Sequence, residues 1–215
     1  MTDDKAVTYT SYLALDEILN AQRPRSDEHD EMLFIVVHQV YELWFKQLLH
    51  ELRHAQRALD NGESAHVLHT LKRVLTILKV VVAQIDVLET MTPRQFQSFR
   101  ARLESASGFQ SQQFRAIEAL LPELWTSLAR YLGLGDDVQS DLVAVYAADD
   151  VGAQICERFV DLDEGLQEWR YRHVKMVERT IGDAHGTGGS MGAAYLRTTL
   201  SRAVFPELWA VRNKL

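Results

Sequence analysis

Between Ser64 and Leu88 the apolar residues Val67, Leu71, Val74, Leu78, Val81, Ile85 and Leu88 recur three and four apart, a stripe that only a long α-helix turns to one side. A second stripe, Val37, Tyr41, Trp44, Leu48 and Leu52, predicts a helix from Glu31 to about Leu59, stopped by Asn61-Gly62 as a C-terminal cap would stop it. A third runs from about Val151 to Ile181, with Ile155, Phe159, Leu162, Leu166, Trp169, His173, Met176 and Thr180 on its inner face. Only 4 prolines and 11 glycines are spread over 215 residues, so β-rich readings are disfavoured. The expectation is an all-α bundle forming one domain over 1–215, with residues 1–30 as a peripheral arm broken at Arg23-Pro24-Arg25-Ser26.

Shorter elements fill the gaps. Thr92-Pro93-Arg94-Gln95 carries a capping hydroxyl, a proline suited to the first helical position and a glutamine that can reach back, and so starts a helix running to about Glu104. Ser107-Gly108 interrupts it, a further helix covers about Gln110 to Leu120, and Pro122 opens another stretch to Tyr131. Gly133 and Gly135 mark a loop. His185 to Ser190 is predicted as a loop too, because three glycines in a helix interior cost about 1 kcal/mol each relative to alanine. A terminal helix is expected to begin near Ser190 and to meet Phe205-Pro206.

The formal charge of -7 would repel a phosphate backbone or an anionic membrane surface, which turns attention to small ligands. The most apolar run, Met32 to Val37, meets His38, Gln39, Glu42 and Lys46 far too soon to span a bilayer. The single cysteine, Cys156, cannot pair within the chain, and the residues after Met1 are polar; a reducing cytoplasm is the expected location.

His50-Glu51-Leu52-Arg53-His54 matches the zinc-hydrolase helix in which two imidazoles one turn apart hold the metal and the glutamate serves as base. Here both histidines sit near the polar end of a helix with a charged Arg53 between them, as on a solvated face. His66 and His69 could join a metal cluster but lie among polar neighbours. Gly186-Thr187-Gly188-Gly189-Ser190 could cradle an anion through its backbone, or simply turn the chain. His38 and His173 differ from these, since each stands on the apolar stripe of a long helix where desolvation favours neutral imidazole. Either alone reads as an ordinary core histidine. Arg100, beside the stripe of Phe96, Phe99 and Leu103, is a half-buried guanidinium that needs a carboxylate from a tertiary acid or from a substrate.

Five stretches, in one order, resemble the tryptophan 2,3-dioxygenase family. They are Tyr9 to Tyr12 with Leu15 to Gln22; Phe34 to Gln39 with Glu42 to Gln47 and His50 to Arg53; Phe99-Arg100 with Ser107 to Ser111; Trp169 to His173; and Gly186 to Ser190 with Phe205 to Leu208. The resemblance implies a helical bundle around a haem pocket, with haem b in the ferrous state as cofactor, O2 as co-substrate, and L-tryptophan converted to N-formylkynurenine by addition across the indole C2=C3 bond. By that likeness His173 is the axial ligand to haem iron, Trp169 lies against the porphyrin region, and His38 faces the indole N–H from the oxygen side. Arg100 grips the amino-acid carboxylate, Thr187 touches the ammonium or carboxylate, Phe34, Phe96 and Leu103 wall the indole, and Ser107 lies near the haem edge. Tyr9 and Tyr12 resemble the pair that members insert into a neighbouring subunit, implying a homo-oligomer, a tetramer or dimer.

One departure stands out: between Arg115 and Val151 the chain is several dozen residues shorter than the family pattern. That shortening leaves open a related haem oxygenase acting on a modified tryptophan or other indole, even a mono-oxygenating one. From a different class, a zinc hydrolase using His50, Glu51 and His54, or a helical interaction protein whose histidines are all structural, competes with the dioxygenase reading.

Overall fold

The computed structural model describes residues 6–189 and 191–215, and among them the secondary structure is entirely helical. In the arm, α1 (Tyr9–Tyr12) and α2 (Leu15–Leu19) are short. Two long helices follow, α3 (His29–Asp60) and α4 (Ser64–Leu88), then α5 (Pro93–Arg100) and a single 3-10 turn at Ala101–Leu103. Beyond a second 3-10 turn at Gly108–Gln110 come α6 (Gln112–Leu132), α7 (Val138–Ala148) and α8 (Val151–Ile181). The end of the chain holds α9 (Ala193–Arg197) and α10 (Pro206–Ala210).

The three stripes fold as predicted, with limits within two residues of those expected. In α3, Leu48, Leu52, Ala55 and Leu59 turn inward; in α4, Val67, Leu71, Val74 and Leu78 do so; in α8, Ile155, Phe159 and Leu162. Each buried aliphatic side chain contributes about 1.5–3 kcal/mol, so the interlocking of α3 with α4 and α6, and of α4 with α8, carries the fold. Gly165 lets α8 approach α4 closely: a Cβ there would stand 2.6 Å from Leu78 Cδ2. A second cluster, Val37, Leu88, Met91, Phe96 and Phe99, seals the end of the bundle where α3, α4 and α5 meet.

Four expectations need correction. Pro122 does not open a new helix; α6 runs through it. A proline inside a helix costs about 3 kcal/mol, and the burial of Leu120, Leu121, Leu124 and Leu128 on one face outweighs it. That helix starts at Gln112 rather than Gln110, because the Ser111 hydroxyl accepts from Phe114 N while Gly108–Gln110 coils more tightly. The helix from Pro93 ends at Arg100 and passes through the 3-10 turn to Glu104, where φ is 48°. The terminal helix shrinks to α9, followed by turns up to Phe205; its expected start at Ser190 lies outside the described residues. Helix α7, which has a weak apolar stripe, was not foreseen; Asp137 caps it by accepting from Ser140 N.

The C-terminal segment is pinned to α8 by a buried carboxylate. Asp163 accepts from Val204 N, Phe205 N and the Trp209 indole at 2.8, 2.9 and 2.9 Å, and also from the Gln167 amide. Four donors satisfy a charge that would be costly to bury alone. No described helix is long and apolar enough to cross a membrane.

Candidate active site

A cavity of about 550 Å3, within the usual range for a ligand pocket, opens between α3, α5, α6, α8 and the loop before α9. Its walls are predominantly apolar. Helix α3 supplies Phe34, His38, Tyr41 and Phe45 from one face, and α8 supplies Trp169, His173, Met176 and Thr180 from another. Both sets follow helical spacing, so the same periodicity that builds the bundle aims these side chains into one space.

His38 is fixed in a single tautomer. Its Nδ1 lies 2.6 Å from the carbonyl oxygen of Phe34. A carbonyl only accepts, so Nδ1 carries the proton and Nε2 keeps its lone pair. Burial pulls the His38 pKa below the usual histidine value, with the Phe34 carbonyl and the charge of Glu42 opposing that shift. The Phe34 ring stands 4.1 Å from the imidazole, centroid to centroid, and itself packs against Phe96 and Phe99.

His173 is more strongly neutral. Burial, aided by repulsion from His38, lowers its pKa to about 4. Its ring stacks on Trp169 at 5.1 Å and 13°, and Trp169 is wedged edge-on against Phe45 and tilted against Phe114. Among the described residues neither ring nitrogen of His173 has a hydrogen-bond partner, and Trp169 Nε1 is buried without one. Unsatisfied buried donors are uncommon in folded chains and point to a missing acceptor.

Arg100, the last residue of α5, reaches the cavity from the opposite end. Its Nη2 donates to the carbonyl oxygen of His185, and among the described residues no carboxylate pairs with it. Thr187 and Gly186 line the cavity beside it. Gly188 has φ 65°, and a Cβ there would stand 2.6 Å from the Ser105 carbonyl oxygen and 3.0 Å from Ser107 Cβ, so only glycine lets this loop dock on the 105–107 strap. Ser107 lines the cavity too, and Phe109 and Tyr195 meet at the rim, 5.2 Å between centroids.

Not every expected residue lies here. Leu103 packs against the cluster of Phe96 and Phe99 instead of lining the cavity. Tyr9 and Tyr12, at 76% and 78% exposure, project into solvent from α1, which buries nothing. Conversely Glu42, Met91, Phe114, Arg115 and Thr199 line the cavity and were not singled out. Glu42 follows the same face of α3 as His38 and could have been found by spacing; Phe114 and Arg115 depend on where α6 begins.

The zinc motif dissolves in three dimensions. Glu51 is buried and held by the Gln47 amide at 2.7 Å and by Arg73 at 3.1 Å to both oxygens, while His50 and His54 face outward. His66 and His69 are exposed, with Glu63 and Arg73 as partners, and no group of three potential metal ligands occurs among the described residues. The same glutamate that would serve as base is an internal strut.

The description "Tryptophan 2,3-dioxygenase" belongs to the family model that matches residues 2–133 and 136–215. The chain belongs to the tryptophan 2,3-dioxygenase family. Relatives bearing that name include one from Anaeromyxobacter sp. (strain K), 57% identical with all of both chains covered, and one from Herpetosiphon aurantiacus, 50% identical over 98% of this chain and 99% of its own. A protein of the same name from Pseudomonas fluorescens is 36% identical over 98% and 92%. The alignment with the Anaeromyxobacter dioxygenase spans 265 positions against 215 residues here, leaving at least 50 positions without a counterpart in this chain. The break in the family match at residues 133 to 136 marks the α6–α7 turn. There Leu134 N donates to Ala129 O and Gly135 N to Asp141, closing the turn tightly.

Proposed function

We propose that this chain is a haem-dependent tryptophan 2,3-dioxygenase, adding O2 across the indole C2=C3 bond of L-tryptophan to give N-formylkynurenine. The observation that carries the reading is one apolar cavity entered by two half-buried, desolvated imidazoles from separate helices and by a guanidinium that pairs with no carboxylate among the described residues.

The donor set fits haem b. His173 is neutral at physiological pH, has no competing hydrogen bond among the described residues and is held by its stack on Trp169, so it would suit a ligand to haem iron. The unpartnered Trp169 indole N–H and the Arg115 guanidinium, whose recorded hydrogen bond is to the Phe109 carbonyl, would hold the anionic edge of the porphyrin. Haem in its ferrous form supplies O2 binding and activation, chemistry that no side chain here provides. The protein contributes position. His38 Nε2 accepts the indole N–H and so sets the ring's orientation; Arg100 takes the carboxylate in a bidentate grip; Thr187 gives its hydroxyl to the amino-acid end. Phe34 and Phe96 would wall the indole and exclude water, Leu103 packs against the cluster that contains Phe96, and Ser107, on the cavity wall, would stand near the haem.

The arm fits a role between subunits. Two exposed tyrosines on one face of a helix that packs on α2 and buries none of its own residues form an apolar prong, which supports insertion of Tyr9 and Tyr12 into a neighbour within a homo-oligomer, a tetramer or dimer. A charge of -7 supports a small-molecule partner rather than nucleic acid, and the single cysteine, Cys156, suits a reducing, cytoplasmic setting for a domain spanning 1–215. The reading is tested by anaerobic titration of the ferrous, haem-loaded protein with L-tryptophan, followed by O2 and mass analysis. A ring-opened product carrying both oxygen atoms is expected; a product carrying one or none would overturn it.

A further inference from the structure

Glu104 is one of three non-glycine residues with positive φ among the described residues, and its pair of angles, 48° and -114°, lies outside the regions that side chains ordinarily adopt. Such a conformation costs about 1–3 kcal/mol and persists only where its surroundings hold it. Ala106 N donates to Leu103 O at 2.8 Å and closes the turn around Glu104, and from a distant part of the sequence Arg25 Nη2 reaches Glu104 Oε1 at 3.0 Å. Arg25 belongs to a turn that is itself fastened. The buried carboxylate of Glu31 accepts from Arg25 N and Ser26 N, both at 2.8 Å, and from the Ser26 hydroxyl. Glu31 sits in the first turn of α3, one turn before Phe34 and two before His38.

We infer that Arg25 and Glu104 form a latch that positions the carboxylate grip of the active site; the inference rests on the role proposed above for Arg100. Glu104 occupies the strap between Arg100 and Ser107, and the glycine loop bearing Thr187 docks on that strap through Gly188. A polar cleft shared by Gln97, Arg100, Glu104 and Thr187 joins the cavity at this point. The latch therefore ties the α3 end that presents Phe34 and His38 to the strap that presents Arg100 and Ser107. Both latch side chains are well exposed, at 60% and 64%, so the pair adds little to global stability and its effect falls on local geometry. Neither Arg25 nor Glu104 touches substrate; both are positioning residues.

The test uses the haem-loaded full chain. Arg25→Gln and Glu104→Gln should each raise KM for L-tryptophan about three- to fivefold, with kcat and the haem spectrum unchanged. The exchanged pair Arg25→Glu with Glu104→Arg should bring KM back to within twofold, and 0.5 M NaCl should raise KM of the parent by a larger factor than KM of the single variants. Amide exchange over residues 101–107 should quicken in each single variant and recover in the exchanged pair, whatever the turnover. Unchanged KM and unchanged exchange in the single variants, or failure of the exchanged pair to restore either, would overturn the latch. Exchange and KM unmoved in the single variants, with normal tryptophan turnover in the parent, condemns the latch alone; absent tryptophan turnover in the parent with exchange behaving as expected condemns the functional reading and leaves the latch standing.

Discussion

His38 Nδ1 donates to the Phe34 carbonyl one turn earlier, at 2.6 Å, and that bond decides which nitrogen of His38 can accept a proton from a ligand. It leaves the Nε2 lone pair free in an apolar cavity. A group with the right shape but no acceptor cannot replace it.

His38→Ala should therefore raise KM for L-tryptophan and lower kcat, together reducing kcat/KM about 10- to 100-fold, the loss typical of one or two kcal/mol or more of oriented hydrogen bonding. Its effect should nearly vanish with 1-methyltryptophan, which lacks the indole N–H. Steady-state kinetics on both substrates checks this; equal losses on both would assign His38 a different role.

The pH profile carries a sign. Burial lowers the His38 pKa, so the neutral, accepting form persists below the ordinary histidine range. kcat/KM should stay level from about pH 8 down to about 6.5, the unperturbed value, and fall only at lower pH as Nε2 takes up a proton. A fall that began above pH 7 would contradict a depressed pKa.

Arg100→Leu should raise KM about 100-fold while the haem spectrum stays as in the parent, because truncating a guanidinium that grips a carboxylate typically costs 2–5 kcal/mol. Arg100→Lys should recover only part of the loss, since an ammonium cannot make the bidentate fork. Tryptophan titration followed by absorbance measures both.

Gly188→Ala places a methyl group against the Ser105 carbonyl oxygen at a positive φ. Undocking of the loop should raise KM at least tenfold with little change in the unfolding temperature, since the segment is on the surface. Kinetics and calorimetry separate this outcome from general destabilisation.

Much of the bundle was legible because its helices are long and their stripes regular: α3, α4 and α8 each repeat the same spacing for about four turns or more. His38 and His173 stood out for the same reason, as polar residues on apolar stripes. Legibility failed where tertiary burial overrode a local signal, as at Pro122, and where a stripe was too weak to see, as in α7. It failed differently for Leu103 and Glu51. A motif gives the residue and its neighbours in sequence, but the direction a side chain takes depends on partners such as Arg73 and Phe96, which only folding brings close. Arg25 and Glu104 are the extreme case, a pair linked by nothing in the sequence between them.

His173 is proposed as the residue on which the haem hangs. Reconstituting parent and His173→Ala proteins with haem, then recording the visible spectrum and the haem content after gel filtration, tests it directly. One tightly held haem per chain with a Soret band in the parent, and loss of both in the variant despite an unchanged helical far-UV signal, is the predicted result. Equal retention of haem with an unaltered Soret band in the variant would contradict the account.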